Sequence, residues 1–314
     1  MRAFSSTVVC LVLILVSQLR AGEGVSFSEP DDSHLQILID GKPFATLNHG
    51  RDWKKPFLFP VHAPDGTNVL RDIIPTKAEQ GSSKEGTDHF HHKGVWVSVD
   101  SVNDEKLNFW HEGAAIVCDK VEHSAQNGAG LLTIHNTWMD GDKPLLKERT
   151  TVEISPSRLV TYYISVNAID KDVTFYDTKE GFFAVRMAHT MREMQGGHAV
   201  NAEGLKGTAE CWGKPSPWID YFGEVDGKTC GITLMDHPDN FRKSRYHVRN
   251  YGLFSISPFG PKTYSKNKED ASPVTLSPGK EGLRLTYGMY IHNGDTEAGG
   301  VASAYQQFLK TSSH

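Results

Sequence analysis

From residue 26 onward, short runs of alternating or β-branched apolar residues recur along the chain, separated by turn residues. This is the pattern of antiparallel strands that bury one face. The runs predict strands over 35–39, 57–61, 95–99, 131–138, 150–154, 159–166, 182–187, 218–225, 232–235, 253–256 and 283–291. Asp-Gly pairs at 40–41, 65–66, 140–141 and 226–227 suit tight turns, because both residue types tolerate positive φ. One segment switches to helical spacing: within 300–310, Val301, Ala304, Tyr305, Phe308 and Leu309 share a face. Segments 77–87 and 262–277 read as loops, and no linker, repeat or heptad divides the chain. The expectation is an all-β protein, a large antiparallel β-sandwich forming one domain over 22–314 with a short C-terminal helix.

The first 21 residues break the pattern. Arg2, an apolar core over 8–16 and a small Ala21 make a secretory signal peptide, so the protein is expected to be exported, to the periplasm or beyond. The apolar core falls short of the roughly 20 residues a membrane span needs. No later run is long enough either, and no span is expected after cleavage. Cys10 lies within the signal, which leaves Cys118, Cys211 and Cys230. That is too few for a disulfide framework, with Cys211 and Cys230 the pair expected if one bridge forms. The 314 residues carry 33 Lys+Arg against 38 Asp+Glu, a net charge of −5. With no basic run longer than a pair, the chain lacks the basic face that nucleic acid or anionic lipid requires. Glycine signatures for nucleotides, a Gly-x-Ser-x-Gly elbow, His-Glu-x-x-His and Cys-x-x-Cys are all absent.

The 15 His are unevenly placed, and three clusters carry candidate chemistry. In DHFHHKGVW (88–96), His89 and His91 share a face if extended, with His92 opposite. Such imidazoles bind a metal or polarise a substrate oxygen, although the carboxylate that a cupin-type site wants is replaced by Val95 and Trp96. A polar loop bonding backbone groups fits equally well. NFWHE (108–112) adds Trp110 and Glu112. In WGKPSPWIDY (212–221), Trp218 and Asp220 suit the C–H face and the hydroxyls of a sugar; for Trp212 the reading as a core aromatic is preferred. MDHPDN (235–240) and YHVRNYG (246–252) place Asp236 and His237 at a strand end. Pro238 and Asn240 suit a turn that returns His247, Arg249 and Tyr251 alongside.

At these clusters the chain resembles a known family. The segments DHFHHKGVWVSVDSVNDEKLNFWHEG, DTKEGFFAVRM, CWGKPSPWIDYFGEVDG and GITLMDHPDN through HVRNYGLF are similar to bacterial proteins catalogued as methane oxygenase PmoA and treated as of unknown function. The resemblance runs from residue 30 to residue 295. It implies a supersandwich like that of galactose-mutarotase-like proteins, in secreted proteins of glycan-degrading bacteria. Phe90 and Lys93 depart from the family's Pro and Arg, and Lys243-Ser244-Arg245-Tyr246 replaces a His-Pro-Thr-Pro-Trp stretch. The label does not describe an activity, since a methane-oxidising membrane subunit needs several apolar spans.

Residues and resemblance together suggest a carbohydrate-active enzyme of epimerase, lyase or hydrolase type, acting on a sugar or oxidised sugar. His237 and His247 are its expected acid/base groups, Asp236 and Glu112 the carboxylate partners, and Arg186 and Arg249 the clamps for a carboxylate or hydroxyl. His89, His91 and His92 form the opposite wall. Trp96, Trp110 and Trp218 stack or shape, and Asp220, Asn240 and Tyr251 contact substrate. Two alternatives remain: a non-catalytic glycan-binding module, and a divalent metal held by the same imidazoles. No other cofactor is evident. Both sugar readings expect His237 and His247 to share one site near the 88–92 segment, and placement on opposite sides of the sandwich would sink that shared site.

Overall fold

Asp40 and Gly41 take φ of 51° and 72°, and Asp226 and Gly227 take 51° and 75°. These are the paired positive values that turn a two-residue hairpin. Such turns stitch the chain, described over residues 23–103, 107–270 and 272–311 in a computed structural model, into two large sheets. The expected signal peptide at 1–21, with Cys10, lies outside the described residues, as does His314.

The strands are β1 (Val25–Asp31), β2 (His34–Ile39), β3 (Lys42–Asn48), β4 (Phe57–Val61), β5 (Val95–Val99), β6 (Ile116–Gln126), β7 (Ala129–Asp140), β8 (Lys143–Ile154) and β9 (Leu159–Ala168). They continue as β10 (Val173–Phe175), β11 (Gly181–Arg186), β12 (His198–Asn201), β13 (Trp218–Val225), β14 (Lys228–Asp236), β15 (Arg245–Val248), β16 (Leu253–Ser257), β17 (Val274–Leu276) and β18 (Leu283–Asn293). Helices are α1 (Thr208–Cys211), α2 (Pro261–Tyr264) and α3 (Val301–Thr311).

The first sheet has the order β1-β2-β3-β4-β5-β11-β16-β15, the second β12-β13-β14-β18-β9-β8-β7-β6, with β10 and β17 as a separate pair. The architecture is the expected antiparallel sandwich with a short C-terminal helix. Alternation builds the core: Phe183, Val185, Phe254 and Ile256 of the first sheet and Leu132, Tyr162, Leu234 and Tyr287 of the second face inward. Each such side chain contributes roughly 1.5–3 kcal/mol on burial. The helix α3 lays Ala304 and Phe308 on Leu159 and Met235, on the outer side of the second sheet.

Strands β1, β3, β6, β10, β12, β15 and β17 lay outside the sequence expectation. The longest, β6 (IVCDKVEHSAQ), fully buries only Ile116. An edge strand held by its ladder to β7 leaves little hydrophobic signal. Cys211 and Cys230, the pair named for a bridge should one form, are both free. Burial raises each thiol to about 11, and the Cys211 thiol donates to Leu205 O at 3.5 Å. Among the described residues no helix is long and apolar enough to cross a membrane.

Asp220 does not reach a ligand face. It is fully buried on the outer side of the second sheet and accepts from Thr233 (3.0 Å), Thr296 (2.7 Å) and His292 Nε2 (2.9 Å). The imidazole fits only because Gly231 and Gly299 flank it; a Cβ on either would sit 2.3 or 2.1 Å from ring atoms. Burial opposes the charge on His292, but the bond and charge of Asp220 outweigh it and raise the pKa. The charged pair therefore stabilises fully below the unfolded value of about 6.5 and loses that contribution as pH climbs through the folded value. In thermal melts across pH 6 to 9, wild type should lose stability on the alkaline side through this pair, and His292→Gln should flatten that slope. An unchanged slope would remove His292 from the account.

Candidate functional site

The 88–92 segment is held by its carbonyls. Arg71, itself buried, donates to Asp88 O, to His89 O (3.0 Å) and to His92 O (2.9 Å). Lys93 Nζ donates to Phe90 O and Lys55 Nζ to His91 O, both at 2.9 Å. All five carbonyls thus meet a buried cation, and the loop is fixed from beneath. His89 takes φ 52°, a left-handed conformation that a non-glycine residue holds only when its surroundings dictate it. Gly94 (φ 56°) then enters β5, where a Cβ would lie 2.0 Å from Leu58 O.

Glu112 has a structural role here. Lys55 reaches its Oε1 at 2.8 Å, and Lys93 both oxygens at 3.1 and 3.0 Å. Desolvation lowers Lys55 to about 8 in spite of this carboxylate. The expected catalytic role of Glu112 is therefore corrected, because its oxygens are committed to two buried ammoniums.

Beside this loop runs the outer face of the first sheet. Pairing across five strands sets Phe57, Trp96, Ala184, Ser255 and His247 in one row. Paired residues point to the same side. Trp96 and His247 are three strand spacings apart, about 14 Å. Phe57, Trp96, Trp110, Ala184 and Leu253 form an apolar cluster on this face, separate from the core.

His247 has one committed and one unpartnered ring nitrogen. Its Nδ1–H donates to Lys179 O at 3.1 Å, with Glu180 Oε2 at 3.5 Å. A carbonyl only accepts, so Nδ1 carries the proton and Nε2 holds a lone pair. Burial lowers the pKa of His247, with Glu180 resisting. Burial pushes Glu180 the other way, but His247 and Lys179 overcome it and hold the carboxylate at about 2.

The 88–92 imidazoles stand across from it. His89 Nδ1 donates to Asp88. Burial would raise Asp88, but His89 and Arg186 carry it well below the usual carboxylate range. His89 stacks on His92 (4.7 Å, 4°) and on Tyr251 (5.2 Å, 7°). His92 Nδ1 accepts from Arg186 at 3.0 Å, and burial next to that cation keeps the ring neutral. His91 is driven to about 2 by burial, then by His111, Lys55 and His89. Glu180 acts on His91, His111 and Tyr251 as well as on His247, joining the two halves electrostatically.

Eight buried polar atoms in this region have no hydrogen-bond partner: His91 Nε2, His247 Nε2, Trp96 Nε1, Trp212 Nε1, Ser98 Oγ, Ser255 Oγ and the Nε atoms of Arg71 and Arg186. Buried polar groups are ordinarily satisfied, and leaving one unpaired costs about 1–3 kcal/mol. Their concentration beside aromatic faces marks this as the candidate site.

His89, His91, His92, Trp96, Arg186, His247, Arg249 and Tyr251 are brought together here, with Trp110 packed beneath Trp96 and His92. Other expected residues are elsewhere. His237 lies two residues beyond Met235, on the outer side of the second sheet, with its ring edge-on to Phe308 at 5.5 Å. Its Nδ1 accepts from Asp239 N at 3.2 Å. Asp236 is a brace, accepting from Asn240 Nδ2 and Ser244 N, both at 2.8 Å. Asn240 clamps both backbone groups of Thr286. Trp218 packs under α3. The turn from 236 to 245 crosses from one sheet to the other, so His237 and His247 end on opposite outer faces and the expected site shared by the two is overturned.

Glu180, Lys179, His111, Ser98, Ser255 and Arg71 escaped the sequence reading. Glu180 and His111 sit within the segments DTKEGFFAVRM and NFWHEG; the serines gave no signal. Among the described residues no group of three or more His, Cys, Asp or Glu is arranged to hold a metal ion.

A family model matches residues 34–306, from β2 into α3. The chain belongs to DUF6807, a family of unknown function. That match, rather than the methane-oxygenase label, is its family. No curated protein matches the sequence. Among solved structures, this DUF6807 member is similar to a galactose 1-epimerase from Lactobacillus acidophilus (8% identity, 87% of this chain and 99% of that one, TM-score 0.43). It is also similar to a proposed mutarotase from Salmonella typhimurium (8%, 86% and 94%, TM-score 0.41) and to a 4-alpha-glucanotransferase from Thermococcus litoralis (10%, 85% and 39%, TM-score 0.34). Likeness at this level does not reach the side chains.

Proposed function

We propose that the outer face of the first sheet binds a sugar and catalyses proton transfer on it, in the manner of an epimerase or lyase, after export from the cytoplasm. The cluster of unpartnered buried atoms supports this reading. Indole N–H groups donate, neutral imidazole nitrogens accept and hydroxyls do both, a mixture that a polyhydroxylated ring satisfies and a purely apolar or purely ionic ligand does not. His247 Nε2 is the base. His89, whose Nδ1 is tied to the Asp88 carboxylate, is the second imidazole offered to substrate. Each has its Nδ1 committed to an acceptor, which orients the ring and leaves Nε2 for substrate. Two-carboxylate glycoside hydrolysis is disfavoured, because Asp88, Glu112 and Glu180 are all committed to cations or His.

The test is to incubate purified protein with aldoses, keto-sugars, uronates and oligosaccharides in D2O and to follow anomer exchange, C–H exchange and elimination by NMR. Catalysed exchange or elimination that His247→Gln abolishes supports the reading. Binding without turnover across the panel would instead make the protein a glycan-binding module, and no binding at all would end the sugar assignment.

A further inference from the structure

The charges around the site do not balance, although the chain as a whole is acidic at −5. Arg186 donates to Asp88 at 2.5 Å, and Arg71 and Arg192 lie near the same carboxylate. Lys55 and Lys93 share Glu112. Lys179 pairs with Glu180. Arg249 is left over: among the described residues its guanidinium has no hydrogen bond or ion pair, only the ring of Tyr251 at 5.5 Å. Arg186, expected as a second clamp, is fully buried and spent on Asp88 and His92, and its guanidinium stands 5.0 Å from the same Tyr251 ring.

Position adds to the charge argument. Arg249 N bonds Leu253 O at 2.8 Å, continuing the β15–β16 ladder one step past His247. Leu253 pairs in turn with Arg186. Arg186, Leu253 and Arg249 therefore make a second row on the outer face, next to the row that ends in His247. Arg249 is two residues from His247, about 7 Å along the strand. A half-buried, uncommitted guanidinium beside the proposed base, on a face with a surplus of cations, is a receptor for an anion. A planar fork fits a carboxylate with two parallel bonds.

We propose that the sugar bound on this face carries a carboxylate, as in a hexuronate, and that Arg249 holds it while His247 faces the adjoining ring carbons. This rests on the sugar-binding reading of the face and names its substrate class. The carboxylate ends lie toward Arg249 and Tyr251, the hydroxyls toward Ser255, Trp96 and the 88–92 imidazoles.

The experiment is calorimetric titration of the full chain with glucuronate and galacturonate, with the matching neutral hexoses, and with galactose 6-sulfate, at low and moderate salt. Wild type should bind a uronate about ten- to hundredfold more tightly than its neutral counterpart, the range of a charge-assisted hydrogen bond. Arg249→Gln should abolish the preference, bringing the uronate to the affinity that the same variant shows for the neutral sugar. Arg249→Lys, which keeps the charge and loses the fork, should retain only part of the preference and guards against a folding defect in the first variant. Equal affinity for uronate and hexose in wild type, or a preference that survives Arg249→Gln, would overturn the proposal; tighter binding of the sulfate ester would overturn the carboxylate. Turnover is scored separately with His247→Gln. A uronate preference without turnover refutes the catalytic reading alone, and turnover confined to neutral sugars refutes this one alone.

Discussion

Replacing His247 by Gln should lower kcat/KM by about 10²–10⁴ while leaving stability nearly unchanged. That is the range contributed by a positioned general base. Gln is the informative substitute because its amide N–H still reaches toward Lys179 O, so the backbone acceptor is not orphaned, while the basic nitrogen is lost. The pH dependence follows from the environment. Burial holds His247 below the ordinary imidazole value, and the working form is neutral. The acid limb of kcat/KM should therefore fall below pH 6.5, with activity level through neutrality. Glu180 opposes that lowering, so Glu180→Gln should move the acid limb further down and weaken the base, slowing the plateau. Steady-state kinetics from pH 4.5 to 8 on the three proteins would show this. A wild-type limb above 6.5, or a Glu180→Gln limb displaced upward, would mean that another group titrates.

The sandwich was legible because its strands obey period two. Segment 95–99 and its neighbours alternate between Val95 and Val97 on the core and Trp96 and Ser98 outside, and the Asp-Gly turns punctuate them. Polar edge strands such as β6 were not, because backbone pairing supports them more than burial does. Half of the site could be read from clustering, since the imidazoles of DHFHHKG are neighbours in sequence, although Lys55 and Arg71, which hold its carbonyls, come from elsewhere in the chain. The other half depended on which sheet each strand joins. His237 and His247 are ten residues apart, and nothing in their spacing says that β14 lies in one sheet and β15 in the other. Ser98 and Ser255 became candidates only once β5, β11, β16 and β15 were side by side.

Glu112→Gln should cost about 3–5 kcal/mol of stability, the cost of removing one partner from a buried ion pair. Lys55 and Lys93 are 0% and 1% exposed at the side chain and Glu112 6%, so water cannot take over from the lost carboxylate. The amide keeps one acceptor oxygen for two ammoniums. The variant should respond by releasing a proton. Lys55 is already down at about 8 with the carboxylate present, and without it the pKa falls further. The unfolded lysine, near 10.5, then binds a proton that the folded one lacks across neutral and alkaline pH, so the stability of the variant rises with pH through that window. Denaturant melts at pH 6, 7.5 and 9 would measure both effects. Adding Lys55→Met should recover part of the loss, since an apolar side chain in place of a stranded charge is tolerated. Activity should fall along with stability, because Phe90 O and His91 O are held by these same lysines and the imidazole wall moves with them. A catalytic Glu112 predicts the opposite division, activity abolished at unchanged stability and with no recovery from Lys55→Met. That outcome would return Glu112 to the reacting groups.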